Sequence, residues 1–548
     1  MQKNKLIVLQ FVLIIGLTVL TGFTYQTGGK YFEISKNLEI FTTVFKEINT
    51  HYVDDLDPGS LMEKGIDAML SSLDPYTVYY SESEIESYRF KQEGNFSGIG
   101  ARIKLSGDFP VIVEVYDDGP ADKAGLKAGD EILEVDGRST QGKDAQEMDN
   151  VLQGFSGTEV NLRVKDFLTD ETSGVSVVRD ELSINNVPHF EMLEGNVAYA
   201  NLSTFTQNAA ANVRKAYRQM SSGEQDVKGY ILDLRGNGGG LLHEAVELCN
   251  LFLPKNILIV TTKSKVIDWD QSYSTRREAM DMKTPLVILV DDHSASASEI
   301  VSGTIQDYDR GVIIGQRTYG KGLVQRHRDL GYNAKMKLTI SEYYIPSGRC
   351  IQAVSYDENG QPIAVPESER NSFRTKNGRT VQDGGGVMPD VVLETSNARE
   401  LIDALVEDLH IFHFVNQYLR EKKISLEEPR YDFEDVEAFT QFIENRAFTS
   451  DHELKKQLRA SKALAVESGD TIMVNELNNI IAERKARDLQ LIESEKEAVV
   501  REIEKEVISR FFNQKGKIES GLRMDEEVLR AKEILLNKEQ YNKILLAE

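Results

Sequence analysis

A chain of 548 residues is too long for one hydrophobic core, so roughly three or four domains are expected. With 40% hydrophobic and 28% charged residues, it has the composition of ordinary globular protein. A formal net charge of −24, without a long basic run or aromatic–basic interleaving, argues against nucleic acid, because a phosphate backbone is bound by clustered Lys and Arg.

Lys3 and Lys5 precede an apolar run from Leu6 to Phe23 with one strongly polar interruption, Gln10. About 18 apolar residues is near the lower limit for a bilayer span and longer than a usual signal h-region. No A-x-A site follows, and no Cys for lipid attachment. Basic residues ahead of the run predict a cytoplasmic N-terminus and an exported remainder. Residues 1–28 are therefore expected to be a signal anchor, with 6–23 holding the protein at the inner membrane and the rest periplasmic or otherwise extracytoplasmic. A removed signal peptide is the alternative.

Residues 29–92 carry helical patterning (LEIFTTVFKEINTHYV, LMEKGIDAMLSSL) and end in the turn-rich LDPYT. Residues 93–182 change to short β-like runs, GIGARIKL, FPVIVEVY, DEILEVDG and TEVNLRV, interrupted by one helical stretch, DAQEMDNVLQGF. Residues 183–397 alternate strand and helix: NVAYANLS with NAAANVRKAYRQM, YILDL with LLHEAVELCNLF, PLVILVDD with SEIVSGTIQDY. That is the α/β signature. Residues 398–548 are helical and highly charged. Their apolar residues recur at mixed three- and four-residue steps, as in an amphipathic bundle with a solvated face, and a coiled-coil or dimer arm is the alternative.

Cys249 and Cys350 have no CxxC partner or His cluster, so no metal site is expected, and two buried thiols are favoured over a disulfide. GQRTYGKG (315–322) fits seven positions of a phosphate-binding loop. The eighth is Gly322 rather than a hydroxyl residue, and the following LVQRHRDL alternates like a strand. DLRGNGGGLLHEAVELC places glycines at a helix start, but Leu241 stands where a dinucleotide fingerprint needs its third glycine. Such a turn can still offer backbone N–H groups to an anion, including a transition-state oxyanion, or be no more than a permissive bend.

VDDHSASASEI feeds a strand into a helix through small residues, a place where a nucleophile can be exposed. Ser296 to Glu299 also reads as a capping box, which competes with nucleophilic use of Ser296. For a base, His293, His327 and His243 are available, as is Lys321 by analogy with Ser–Lys sites. If residues 321–327 are extended, Lys321, Leu323, Gln325 and His327 share a face, and Gln325 can hold the lysine.

Together DLRGNGGG, SASASEIVSG, GQRTYGKGLVQ and LTISEYYIPSGR resemble the carboxyl-terminal processing peptidases, the tail-specific serine proteases of family S41. GIGARI and DDGPADKAGLKAGDEILEVDG resemble their embedded PDZ domain, and LDPYTVYYSESE the segment before it. The resemblance covers roughly residues 40–395. It implies a multidomain α/β protease core with an inserted PDZ-like β-rich domain, an N-terminal helical segment and a long all-α C-terminal extension.

It places the nucleophile on Ser296, the general base on Lys321 and the assisting glutamine on Gln325. The oxyanion donors fall on the N–H of Ala297 and of one glycine in 238–240, with Gly239 favoured over Gly240. The family often has Pro where this chain has Gly238. Gly98, Ile99 and Gly100 match the loop that receives a peptide's terminal carboxylate, with the adjoining strand adding the peptide to its sheet.

The implied activity is endopeptidase cleavage near the C-termini of exported proteins, gated by the PDZ domain, with no metal or organic cofactor. Substrates are proteins with free C-terminal tails, and the helical N- and C-terminal segments offer places for a homo-oligomer or a regulatory partner protein. A PDZ scaffold with an inactive protease domain and a Ser–His hydrolase are the alternatives.

Overall fold

The computed structural model describes residues 31–82, 95–183, 185–222, 226–357, 361–393, 397–446, 448, 452–523 and 525–546. The apolar run 6–23 lies outside the described residues, and among the described ones no helix is long and apolar enough to cross a membrane.

A helix over 31–51 leads to α1 (Pro58–Ser71), started by Pro58 and by Asp57, whose carboxylate accepts the Gly59 and Ser60 N–H groups. After strand β1 (Val78–Tyr80), the β-rich block comprises β2 (Ala101–Ser106), β3 (Phe109–Val115), β4 (Glu131–Val135), α2 (Ala145–Leu152), β5 (Glu159–Lys165) and β6 (Thr172–Val178). Its sheet runs β2-β3-β4-β5-β6, so β2 is an edge strand. Strict alternation in β5 turns Val160, Leu162 and Val164 onto a core shared with Ile112, Ile132 and Met148. A ribbon of Asn95–Gly98 with Asp180–Ser183 closes the block at its base.

The α/β region continues with β7 (Phe190–Leu193), β8 (Val197–Asn201), α3 (Ala209–Ser221), β9 (Gly229–Asp233), α4 (Leu242–Cys249), β10 (Leu258–Ser264) and β11 (Gln271–Ser274). It then runs through β12 (Leu286–Val290), α5 (Ala297–Asp307), β13 (Val312–Gly315), β14 (Leu323–Gly331), β15 (Ala334–Tyr344) and β16 (Val391–Val392). The central sheet has the order β7-β8-β9-β12-β13-β16, and every pair except β7–β8 is parallel. Every residue of β9 and β12 is buried, as parallel strands covered on both faces require. A second, antiparallel sheet joins β1, β15, β10 and β11, with β14 on β15 and a bulge at Val324–Gln325.

One face of the central sheet is covered by α3, α4 and α5. The other is covered by the end of the chain: α8 (Glu526–Leu536) and α9 (Lys538–Leu545) press Val528, Ile534, Leu535 and Tyr541 onto Val197, Ile231, Val287 and Ile314. The preceding helices, including α6 (His410–Lys422) and the kinked α7 (Lys496–Leu522), form a bundle core around Phe414, Phe439 and Ile503, into which Phe167 of the β-rich block inserts. Sequence patterning read 398–548 as one extension; its last two helices are a layer of the central sheet. Cys249 and Cys350 are free thiols, the first fully buried.

Candidate active site

The three alternating serines have three different surroundings. Ser294 is buried, receives the Asp291 N–H at 3.0 Å and donates to the Leu234 carbonyl at 2.8 Å. Ser298 is buried too and donates to the Asn237 carbonyl at 2.8 Å, so it fastens α5 to the glycine loop rather than capping its own helix. Ser296 alone of the three lines a cavity of ≈ 360 Å³. Its backbone stands at φ 54°, ψ −108°, a conformation that costs a side-chain-bearing residue about 1–3 kcal/mol and persists only where the surroundings impose it.

Glu299 imposes it. This carboxylate is fully buried, one turn into α5. Its Oε2 accepts the Ser296 N–H at 2.8 Å and the Lys321 N–H at 2.9 Å. Its Oε1 accepts the Gly320 N–H at 2.7 Å and the Thr318 hydroxyl at 2.6 Å. Burial pushes its pKa up, and these donors oppose the shift. A second clamp is the Tyr343 hydroxyl, 2.6 Å from the Lys321 carbonyl oxygen and 3.1 Å from that of Ser296. The backbones of residues 296 and 321 are thus joined twice. The capping-box pattern pointed to Glu299 as a helix-start residue; its reach to 318–321, like the part played by Tyr343, has no signal in local sequence.

The glycine loop comes against this turn. Gly239, at φ 100°, lies so close that an added Cβ would stand 2.7 Å from the Ala295 carbonyl oxygen and 2.8 Å from the Ser296 Cβ. Its own N–H donates to Asn237 Oδ1 at 2.9 Å. Phe205 N–H donates to the Gly239 carbonyl at 3.0 Å, and Leu241 N–H to the Phe205 carbonyl at 2.8 Å. Strand geometry then turns the Gly240 N–H away from Phe205, towards the cavity that Gly240 lines. Among the described residues, neither this N–H nor that of Ala297 has a protein acceptor. The donor favoured from sequence, Gly239, is already engaged with Asn237, whereas the N–H groups of Gly238, Gly240 and Ala297, all of which line the cavity, have no protein acceptor among the described residues.

Lys321, Leu323, Gln325 and His327 all line the cavity with Ser296, and so does Val324. Burial, then the ammonium of Lys337, lowers the Lys321 pKa to about 8, with Glu299 and Asp74 pulling the other way. Lys321 Nζ lies 4.2 Å from the centroid of the Tyr76 ring and makes no hydrogen bond to Ser296. Gln325 does not hold the lysine: its Nε2 donates to Thr339 Oγ1 at 3.2 Å. His293 is exposed, pairs with Asp292 at 2.8 Å and does not line the cavity. Phe205, Leu241, Leu242 and Ile300 make the apolar wall.

In the β-rich block, the Ile99 carbonyl accepts the Ala121 N–H at 2.6 Å and the Gly100 carbonyl the Tyr116 N–H at 3.0 Å. With both carbonyls tied inward, the N–H groups of Ile99 and Gly100 have no protein acceptor among the described residues. Gly100 adopts φ 78° next to Gly98, at the head of edge strand β2, and α2 packs beside that strand.

Three family models match the chain: peptidase family S41 over residues 196–359, a PDZ domain over 111–166, and the C-terminal helical domain of probable PDZ-proteases over 401–535. A carboxy-terminal-processing protease of Bartonella bacilliformis is 35% identical over 321 residues, spanning 58% of this chain and 73% of that protein. A probable CtpA-like serine protease of Staphylococcus haemolyticus is 28% identical over 471 residues, 83% of this chain and 92% of its own. Among solved structures, a photosystem II D1 C-terminal processing protease is 27% identical and matches 65% of this chain and 92% of its own at a TM-score of 0.37.

Proposed function

The chain belongs to the carboxy-terminal-processing proteases of peptidase family S41, serine-type peptidases here carrying a PDZ domain, and on that footing we propose a Ser296–Lys321 mechanism. The observation that carries the proposal is the shared carboxylate. Glu299 binds the backbone N–H of both residues, and both face one cavity. Neutral Lys321 takes the hydroxyl proton as Ser296 Oγ bonds to a peptide carbonyl carbon. The Ala297 and Gly240 N–H groups hold the resulting oxyanion. The proton passes to the leaving amine as the C–N bond breaks, and water then hydrolyses the acyl-enzyme. Gln325 acts indirectly, through Thr339, which donates to Asp74 at 3.2 Å.

The PDZ domain receives the substrate's terminal carboxylate on Gly98, Ile99 and Gly100, and the tail pairs with edge strand β2. This selects and gates cleavage of exported proteins, with export and anchoring assigned to the apolar run after Lys3 and Lys5. A second copy of the chain is the partner suited to the helix over 31–51. Along it Tyr31, Ile34, Leu38, Phe41, Phe45 and Ile48 recur in strict three- and four-residue steps, and Leu38 is 61% exposed in the single chain.

Cleavage of a tail-bearing protein by Ser296→Ala, Lys321→Ala and His327→Ala variants tests the assignment. The first two are expected to lose activity by at least about 10³-fold. His327 also lines the cavity, and burial with Lys337 and Lys335 keeps it neutral, so it is the alternative base. Loss in His327→Ala with turnover retained in Lys321→Ala would transfer the role to it.

A further inference from the structure

Lys321 Nζ stands over the face of Tyr76, 4.2 Å from the ring centroid, where an ammonium is attracted by the ring's negative face. Among the described residues the nitrogen makes no hydrogen bond or ion pair; the ring is its close partner. Tyr76 is firmly set. Asp74 Oδ1 accepts the N–H groups of Tyr76 and Thr77, each at 2.8 Å, and its Oδ2 accepts the Thr77 hydroxyl at 2.9 Å. The same carboxylate takes the Thr339 hydroxyl from β15, and β1, which follows directly, pairs with β15. Tyr356 meets the ring edge-on at 6.4 Å between centroids, and the Tyr319 hydroxyl lies 3.5 Å from that of Tyr76.

We propose that Tyr76 is a positioning residue whose ring holds the Lys321 ammonium in a resting place apart from Ser296, so that the base must leave the ring to accept the serine's proton. The proposal rests on the Ser–Lys reading of the site. Ring attraction acts on the charged amine alone, so the contact keeps Lys321 protonated and idle until the side chain swings away. It works against burial and Lys337, and with Glu299 and Asp74. Lys337 on β15 repels the ammonium, and burial disfavours it; Glu299 on α5 and Asp74 favour it. His327 on β14 lines the same cavity, Tyr319 and Tyr356 flank the ring, and the Tyr343 hydroxyl meets the Lys321 carbonyl.

Three kinds of replacement separate the ring's face from its bulk. Tyr76→Leu and Tyr76→Met keep an apolar wall without the face, Tyr76→Phe keeps both, and Tyr76→Ala opens the wall to water. The acidic limb of kcat/KM is expected to move down by about 0.4–1.5 pH units in Leu or Met, a gain of roughly 2- to 30-fold below the limb. It stays in place in Phe and moves up in Ala. The Lys321 pKa is read without turnover in the Ser296→Ala protein, by competitive acetylation with acetic anhydride across pH and mass spectrometry of the Lys321 peptide. The same downward shift is expected there in Leu or Met. An acetylation pKa unchanged or raised in both would overturn the role of Tyr76 and leave the Ser–Lys reading intact. A lowered acetylation pKa with an unmoved kinetic limb would show that Lys321 is not the base, which ends both. Thermal midpoints identify any variant that has not folded, and one folded member of the Leu–Met pair suffices.

Discussion

A buried carboxylate that forms no ion pair is costly unless N–H and O–H groups satisfy its oxygens, and Glu299 has four such donors within 2.9 Å. All four point at the carboxylate, so Glu299→Gln must set an amide NH2 against at least one of them. Loss of that bond and of the charge is expected to cost about 2–4 kcal/mol, read from the urea midpoint. kcat should fall at least about tenfold with KM little changed, since residues 296 and 321 lose their common anchor while the cavity wall stays. Unchanged kcat in a folded variant would remove Glu299 from the site's architecture. Lys321 sets the pH dependence. Its pKa is lowered to about 8, and the neutral amine is the working form. Activity should therefore be lost as pH falls through about 8, close to tenfold per unit below it, in a kcat/KM profile with a short tail-bearing peptide. A limb well below 7 would point to His327 instead. Ser296 and Lys321 enter the proposal through motifs that are contiguous in sequence, although local pattern alone left Ser296 as a helix cap and the base open between histidine and lysine. The bond of Glu299 to Ser296 follows capping-box spacing, but its reach to residues 318–321, that of Tyr343 to 296 and 321, and the facing of Tyr76 and Lys321 span 19 or more positions, and no period or spacing carries that information.

Among the secondary elements, what sequence could carry was periodicity, and what it could not was pairing. LVILV on β12 is a run that only a strand buried on both faces tolerates, so two covering layers were implied. Which segment supplies the second layer was not. α8 and α9 have the same charged, amphipathic texture as the bundle helices before them, and only their neighbours distinguish them. The bulge at Val324–Gln325 is another case. Alternation does keep Gln325 on the lysine's face of β14, but an extra residue in the partner strand β15, Ile340, sets Thr339 opposite Gln325, where it takes the amide N–H. The helix over 31–51 has a readable period and exposed apolar residues, which makes a prediction for the assembly. The paired change Leu38→Glu and Phe41→Glu should halve the mass measured by light scattering while leaving far-UV dichroism nearly intact. A parent protein that is already monomeric at micromolar concentration would remove the second copy from this helix.

Across the whole molecule, the C-terminal helices tie the two working parts together. Arg235, from the glycine loop's DLRGNGGG, pairs with Asp525 at 2.8 Å and Glu527 at 2.7 Å at the start of α8, and with Asp233 at 2.6 Å. At the other end, the Ser106 hydroxyl of edge strand β2 meets His413 Nε2 of α6 at 2.7 Å. A tail laid along β2 is therefore placed against a framework that also fixes the loop beside Ser296. What such a tail contributes at its end is one negative charge, and in the proposed reading it is received by the Ile99 and Gly100 N–H groups, which have no protein acceptor among the described residues. Amidating the tail removes the charge and puts an N–H2 group among donors. Charge-assisted hydrogen bonds contribute about 1.5–3 kcal/mol, so the amidated peptide should bind about 10- to 100-fold more weakly. Calorimetry on the full-length Ser296→Ala protein separates this from cleavage, because neither peptide is consumed. Equal affinity of the free acid and the amide would mean that residues 98–100 do not read the terminus. Selection would then rest on side chains along β2, and the enzyme would cleave internal segments as readily as tails.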